Sequence, residues 1–303
     1  MVTSTGSGLS VPDWPLSYGS LFPPMIGGVF YEHGHRIAAA LVGLLILILS
    51  ISLHILEKRK WVKILGFIAL GIVIAQGILG GLTVLLFLPT AISLSHAVLA
   101  QTFFLLTITI AYSLSLERGE REEGRVTPLA ISPLSLKSLF FFLILIYIQL
   151  ILGALMRHTH SGLAIPDFPT MGGYWLPPST EALLKNINSW RFEHNLESVT
   201  IQQVAFHFIH RLMAFTILLW LGVVNCKLWG ELKLLKIKSS LFLVNTLVAL
   251  QIFLGIVAVL SQKSPALTSL HVVTGAAALG YSYLLFLRLA PLSWRETKKN
   301  LFH

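Results

Sequence analysis

The sequence predicts an all-α polytopic membrane protein made of two related (parallel-repeat) four-helix bundles. Three observations predict it. Hydrophobic residues make up 55% of the chain and charged residues 12%, at a mean hydropathy of +0.78, whereas a soluble domain carries about 25% charged residues. Several apolar runs reach the roughly 20 residues that cross a bilayer. The chain also repeats itself: Ser7-Gly8-Leu9-Ser10-Val11-Pro12-Asp13-Trp14-Pro15 returns as Ser161-Gly162-Leu163-Ala164-Ile165-Pro166-Asp167-Phe168-Pro169.

Seven transmembrane spans follow in order. The first, about 36–56, starts after His35-Arg36 and stops at Lys58-Arg59-Lys60. Spans 64–88 and 92–116 are separated by a turn at Pro89. A charged linker, 117–136, leads to span 137–157 and then to a long loop, 158–203. Span 204–226 contains His210-Arg211 and ends at a basic loop; spans 239–261 and 266–290 flank a turn at Pro265. The predicted units are therefore 1–116, the linker 117–136 and 137–303.

The helix order repeats without inversion, so the halves are expected to be related by a pseudo-twofold axis along the membrane normal. The register sets Met1 opposite Leu155, which makes the first helix of the first bundle absent from this chain. The second outer loop is 21 residues longer than the first. Its excess, near 179–199, is polar and is expected to form a lid or cap.

The net charge is +9, but its distribution argues against nucleic acid as a partner. Loops 57–63, 117–137, 227–238 and 288–299 hold 16 of the 22 Lys and Arg residues. Arg36, Arg157, Lys185, Arg191, Arg211 and Lys263 are the other six. Such asymmetry puts the basic loops and the carboxyl terminus in the cytoplasm, and both Ser-Gly-Leu loops on the outer face of the cell membrane. The opening MVTSTGSGL has no basic region followed by an apolar run, so no cleaved signal peptide is expected. The single cysteine, Cys226, excludes an internal disulfide and is expected to be a small buried hydrophobe.

Chemistry is carried by four of the eleven histidines. His35 and His96 are 61 residues apart, and so are His210 and His271; Gln76 and Gln251 stand 20 residues before the second member of each pair. Ionisable residues at membrane depth are costly and usually functional. A helix descending from His35 and its successor returning to His96 bring both rings to one depth. Two imidazoles without thiolates or a carboxylate pair suit structural zinc poorly, because zinc prefers four protein ligands. They suit haem iron, whose macrocycle fills four positions. His54 and His303 read as surface residues, and His158, His160 and His194 as solvated loop residues. His33 is matched by Phe208 and draws no support from the repeat.

Arg36 and Arg211 suit either the propionates of a haem or lipid headgroups. Gly80 and Gly255 are expected to permit close helix contact, and Asp13 and Asp167 to form turns. The repeat breaks at Glu32, whose counterpart is His207. One helical turn from His35, this carboxylate marks the first pocket as the candidate for chemistry.

These residues resemble the haem A synthase family: Ser7-Gly8-Leu9, Pro12-Asp13-Trp14, Glu32-His33-Gly34-His35-Arg36, His96, His210-Arg211 and His271. The resemblance covers essentially the whole chain. It implies an oxidoreductase that converts a methyl group of haem O into the formyl group of haem A by successive hydroxylations. It also implies haem b as cofactor, held between His210 and His271 with Arg211 nearby. Haem O would bind near His35, His96 and Arg36, with Glu32 catalytic as a proton shuttle or as a stabiliser of positive charge. The four histidines would be axial ligands to haem iron. The lipid bilayer, an electron donor that the sequence does not name, haem O synthase, terminal oxidase assembly proteins and a second copy of the chain are the partners it suggests. Two departures stand out: the family's first helix and the cysteine pair that many members carry in an outer loop are both missing here. The alternative is a dihaem b-type membrane electron-transfer cytochrome, against which stand the Glu32/His207 asymmetry and the location of all four histidines at one face. A haem transporter is a third, weaker reading.

Overall fold

The structure, a computed structural model, describes residues 2, 4–123, 132–175, 177–229 and 238–290. Among them are eight α-helices: α1 (Gly28–Leu56), α2 (Lys60–Leu85), α3 (Thr90–Glu123), α4 (Pro133–His158), α5 (Thr180–Glu193), α6 (Ile201–Trp229), α7 (Lys238–Leu260) and α8 (Pro265–Leu289). All but α5 are long and apolar enough to cross a membrane. The predicted polytopic helical class is thus observed. Residues 124–131, 230–237 and 291–303 lie outside the described residues, and with them the middle of the linker 117–136, most of the basic loops 227–238 and 288–299, and His303; both ends of the expected linker are helical, α3 running to Glu123 and α4 starting at Pro133.

Several helices extend beyond their expected limits. α1 starts at Gly28 rather than near 36, and α6 at Ile201 rather than near 204. Polar residues hid these starts, because Glu32, His33 and His207 interrupt the apolar runs from which the spans are read. In the fold they are buried on helix faces that meet the Ser-Gly-Leu loops.

The second half is the better packed. Fifteen buried apolar residues from α4, α6, α7 and α8 form its core, including Phe142, Leu221, Val244 and Leu285. The first half gathers five, Ile46, Leu53, Val62, Ala69 and Ile110. In the most apolar stretch of α3 only 11% is buried, against 33% in α8. The flank of α1 bearing Ile37, Leu41, Leu44 and Ile48 is exposed as well. Helices α3, α4 and α8 join the halves. Thr102 and Thr109 of α3 pair there with the hydroxyls of Tyr147 and Tyr283, at 2.7 and 2.8 Å. In the second half Asn225 and Asn245 exchange amide hydrogen bonds of 2.8 and 2.9 Å between α6 and α7. Such reciprocal pairing satisfies both amides away from water.

One expectation gains detail and one needs correction. The segment expected as a polar lid at 179–199 contains the amphipathic helix α5, with Ser179 Oγ capping it through the Ala182 N–H. Leu183 and Ile187, four residues apart, tuck it against Ala164, Ile165, Val199 and Val204. Cys226, expected to be buried, is exposed on α6; the buried stripe of that helix runs through Leu221, Val224 and Leu228 and passes it by.

Candidate functional site

The outer ends of α1 and α6 each grip a Ser-Gly-Leu loop, and they do so through equivalent carbonyls. Arg36 donates to the carbonyls of Val11, Asp13 and Leu16 at 3.0, 2.8 and 2.7 Å. Arg211 donates to the carbonyls of Ile165, Asp167 and Thr170 at 3.0, 2.7 and 3.2 Å. The three acceptors correspond one to one in the repeat. An arginine fork reaches several acceptors at once, which a lysine cannot do. Both arginines are therefore fasteners of the loop that roofs each pocket, with donors engaged by backbone oxygen.

Glu32 and His207 complete the grip. Glu32 Oε2 accepts from the Val11 N–H at 2.8 Å, and Oε1 accepts from Arg36 at 2.8 Å. His207 Nδ1 stands 3.1 Å from the Ile165 N–H nitrogen and its Nε2 stands 3.2 Å from Arg211 Nε. A carboxylate accepts both bonds; a neutral imidazole has one acceptor nitrogen and satisfies one of them. Glu32 and His207 are 3% and 2% exposed, so these contacts are shielded from water.

Asp13 and Asp167 set the loop shape as expected. Asp13 accepts from Tyr18 and Gly19, and Asp167 from Thr170, Gly172 and Gly173. The Gly19 and Tyr18 N–H groups hold the Asp13 carboxyl below its ordinary range. Burial pushes the other way at Asp167, but its bonds from Thr170, Gly173 and Gly172 outweigh it. Each loop also contains a cis peptide, Trp14-Pro15 and Phe168-Pro169.

Beneath each roof the four histidines pair as the spacing predicts. His35 and His96 lie close enough to feel each other's charge, as do His210 and His271. His96, His210 and His271 are partly buried, whereas His35 lies on the exposed flank of α1. Three of the rings rest on a glycine of the adjacent helix. A Cβ on Gly80 would lie 3.4 Å from His96 Cε1, one on Gly153 3.3 Å from His210 Cε1, and one on Gly255 2.9 Å from His271 Cε1. Gly80 and Gly255 thus make room for imidazoles, beyond the helix contact expected of them.

A glutamine stands four residues before each of these glycines: Gln76, Gln149 and Gln251, in the segments QGILG, QLILG and QIFLG. The Gln149 amide points to His210 Nε2 at 3.3 Å and the Gln251 amide to His271 Nε2 at 3.4 Å. His271 Nδ1 donates to the Gln251 carbonyl at 3.0 Å, which makes Nε2 the acceptor nitrogen, the one the Gln251 amide faces. Gln149 and Gly153 went unnoticed in the repeat because their counterparts would precede Met1. The recurring Gln-x-x-Leu-Gly or Gln-x-x-x-Gly pattern was the available signal.

The buried oxygens Oε1 of Gln76, Gln101, Gln149 and Gln251 and the Nδ1 atoms of His96 and His210 have no hydrogen-bond partner. Leaving such atoms unpaired costs about 1–3 kcal/mol each. Their concentration around the imidazoles fits pockets shaped for a polar, iron-containing macrocycle. Among the described residues no three His, Cys, Asp or Glu side chains converge on one point, so a closed protein-only metal cage is not formed. His33, left without a role by the repeat, is 8% exposed and bonds Ser17 Oγ at 2.7 Å through Nδ1. Its counterparts Phe208 and Met171 replace that polar pair by an apolar one. His158, expected in the loop, ends α4 and is partly buried.

Comparison with known proteins gives a consistent picture. Residues 27–283 match the family described as cytochrome oxidase assembly protein, COX15-CtaA. A heme A synthase of Halalkalibacterium halodurans is 31% identical over 183 residues, 58% of this chain and 59% of that protein. One of Alkalihalophilus pseudofirmus is 32% identical over the same share of each chain. One of Lysinibacillus sphaericus is 27% identical over 310 residues, 99% of this chain and 92% of that protein. The chain thus spans about 59% of the first two relatives' length and nearly all of the third's.

Proposed function

We propose, since this chain belongs to the cytochrome oxidase assembly protein family, that it is a haem A synthase: an oxidoreductase converting a methyl group of haem O into the formyl group of haem A. The observation that carries this reading is the doubled site. Two imidazole pairs lie under two identically fastened loops, and the two differ in chemistry at Glu32 and His207. A simple pair of electron-carrying haems gives no reason for that difference.

In this reading residues 137–303 hold haem b through His210 and His271, and residues 1–116 receive haem O near His35 and His96. When bound, haem iron supplies the redox and oxygen chemistry, and the protein supplies position and polarity. Each of two hydroxylations of the methyl carbon would take one oxygen atom from dioxygen, with two electrons from an external donor and two protons reducing the other to water, and the resulting geminal diol would lose water to become the aldehyde. Gly80, Gly153 and Gly255 let the imidazole rings sit at the helix surface, and the Gln251 carbonyl orients His271 through Nδ1; the Gln251 amide would give up His271 Nε2 to iron. Arg36 and Arg211 fasten the roofs; Arg211 brings positive charge to its pocket rim, where propionates would lie, whereas Glu32 offsets the charge of Arg36.

Glu32 serves the oxidation in the first half. Its carboxylate either moves a proton or offsets positive charge at the oxidised carbon, and its bonds to Val11 and Arg36 fix it for that work. The basic loops face the cytoplasm and both sites face the outside of the cell membrane.

The test is acid extraction and chromatography of the bound haems after expression with a haem O supply. Haem B together with haem O or haem A is expected. Haem B alone, at two per chain, would overturn the reading in favour of a dihaem cytochrome.

A further inference from the structure

We propose that two breaks in the repeat, His207 in place of Glu32 and Lys263 in place of Leu88, make the second pocket the one that retains an anionic macrocycle and the first the one that releases it. The proposal rests on the reading that both pockets take haem, whose two propionates are anionic.

The first break changes charge while keeping the side chain in the same place between the loop and the arginine. Glu32 neutralises Arg36 through a 2.8 Å ion pair while it accepts from the Val11 N–H. His207 occupies the same place against Ile165 and Arg211. Neutral or protonated, an imidazole brings no negative charge, so Arg211 keeps its full positive charge. Asp13 and Asp167 flank the two arginines in equivalent places and cancel in the comparison.

The second break lies in the outer turns between α2 and α3 and between α7 and α8. Both turns carry two successive residues with positive φ, Phe87 and Leu88 at 59° each, and Gln262 and Lys263 at 52° and 67°. Each second residue covers the glycine of its Ser-Gly-Leu loop. A Cβ on Gly8 would lie 3.3 Å from Leu88 Cδ1, and one on Gly162 3.7 Å from Lys263 Cδ. The same backbone therefore sets a methyl group against one Ser-Gly-Leu loop and an ammonium against the other.

Among the described residues no cation of the second roof is in an ion pair, although Asp167 lies near Arg211 and Glu197 near Arg191. Among the described residues the ion pairs are Arg36–Glu32 and Arg59–Glu57. Arg157 donates to Ser4 Oγ at 2.9 Å and Arg191 to the carbonyls of Leu163 and Glu197, with the Glu197 carboxylate near it. Lys263 sits near Arg157 and Arg191; burial and these neighbours push its ammonium below the ordinary lysine range. Taken over the two breaks, the second roof is more positive than the first by two unit charges. One unit charge on the order of 10 Å from a propionate, at an effective dielectric near 20, alters retention roughly tenfold. Lys263 is partly in water and contributes less.

The experiment measures release of the macrocycle from the detergent-solubilised, haem-loaded full chain to excess apomyoglobin, followed by loss of the bis-imidazole spectrum. His207→Glu is expected to release it about tenfold faster and to lower its midpoint potential. Glutamate already performs the fastening in the first half, so the variant is expected to fold. His207→Gln, which removes the imidazole without adding charge, should stay within about twofold of wild type. Lys263→Leu should accelerate release less, in the same direction. Equal release from His207→Glu and His207→Gln would overturn the proposal. If His207→Glu failed to accumulate, wild-type release from Lys263→Leu would overturn it instead. A wild-type protein with no bis-imidazole haem would instead refute the underlying reading and the proposal with it.

Discussion

Gly255→Ala is the most exacting perturbation of the pockets. A methyl group there would lie 2.9 Å from His271 Cε1 and 3.5 Å from Nδ1. Ordinary contact begins near 3.4 Å, so the ring must retreat by roughly half an ångström, at an overpacking cost of about 1–3 kcal/mol. The ring cannot retreat freely, because Nδ1–H is held by the Gln251 carbonyl at 3.0 Å. An axial ligand displaced this far weakens its bond to iron. The same change at Gly153 and Gly80, with 3.3 and 3.4 Å to their histidines, should cost well under 1 kcal/mol. The assay is haem B per protein by pyridine haemochrome in purified membranes, together with the reduced α-band and the thermal midpoint. A graded loss is expected, largest in Gly255→Ala and small in Gly153→Ala. Unchanged haem content and spectrum in Gly255→Ala, with larger losses in Gly80→Ala, would refute the idea that these glycines seat the imidazoles.

Three further outcomes are expected. Glu32→Gln should insert and bind haem b as wild type does, yet yield little haem A at equal haem b content, whereas His207→Gln should be milder; near-normal haem A from Glu32→Gln would leave the residue a fastening role only. Replacing Asn245 by Leu leaves the Asn225 Oδ1 without its donor between α6 and α7, while Nδ2 keeps its bond to the Leu221 carbonyl, and should destabilise the second bundle by about 1–3 kcal/mol, read as a lower thermal midpoint of the haem-loaded protein. At the other end of the molecule, Arg59 holds the Glu57 carboxyl down to about 2, from an ordinary 4.5. A depressed carboxyl stabilises above its unfolded value, so that contribution is present at neutral pH and disappears as pH falls from about 4.5 towards 2; Glu57→Gln should flatten this part of a stability–pH profile.

Legibility in the sequence followed the physics of each feature. Spans were legible because bilayer crossing demands long apolar runs, and the histidine pairs because the repeat printed them twice. Contacts to backbone carbonyls leave no such trace. Arg36 and Arg211 were therefore visible as paired residues, while their job as loop fasteners emerged only with Val11, Asp13, Ile165 and Asp167 around them. Gln149 and Gly153 escaped because a repeat shows only what both copies contain. His33 escaped for the opposite reason: its partner Ser17 and both counterparts, Phe208 and Met171, had changed together. Helix α5 was masked by polar composition, with only Leu183 and Ile187 keeping a helical spacing towards the loop. Cys226 misled because small size argues for burial only on a helix face that has a neighbour.

The central claim is that the two histidine pairs do different jobs. It is tested most directly by a chromatographic haem inventory of His96→Ala and His271→Ala, expressed with a haem O supply and compared at equal protein. His271→Ala should lose haem B, because it removes an axial ligand and opens a cavity in the second bundle. His96→Ala should keep haem B and contain no haem A. Loss of haem B from His96→Ala, with haem B and haem A intact in His271→Ala, would contradict the assignment.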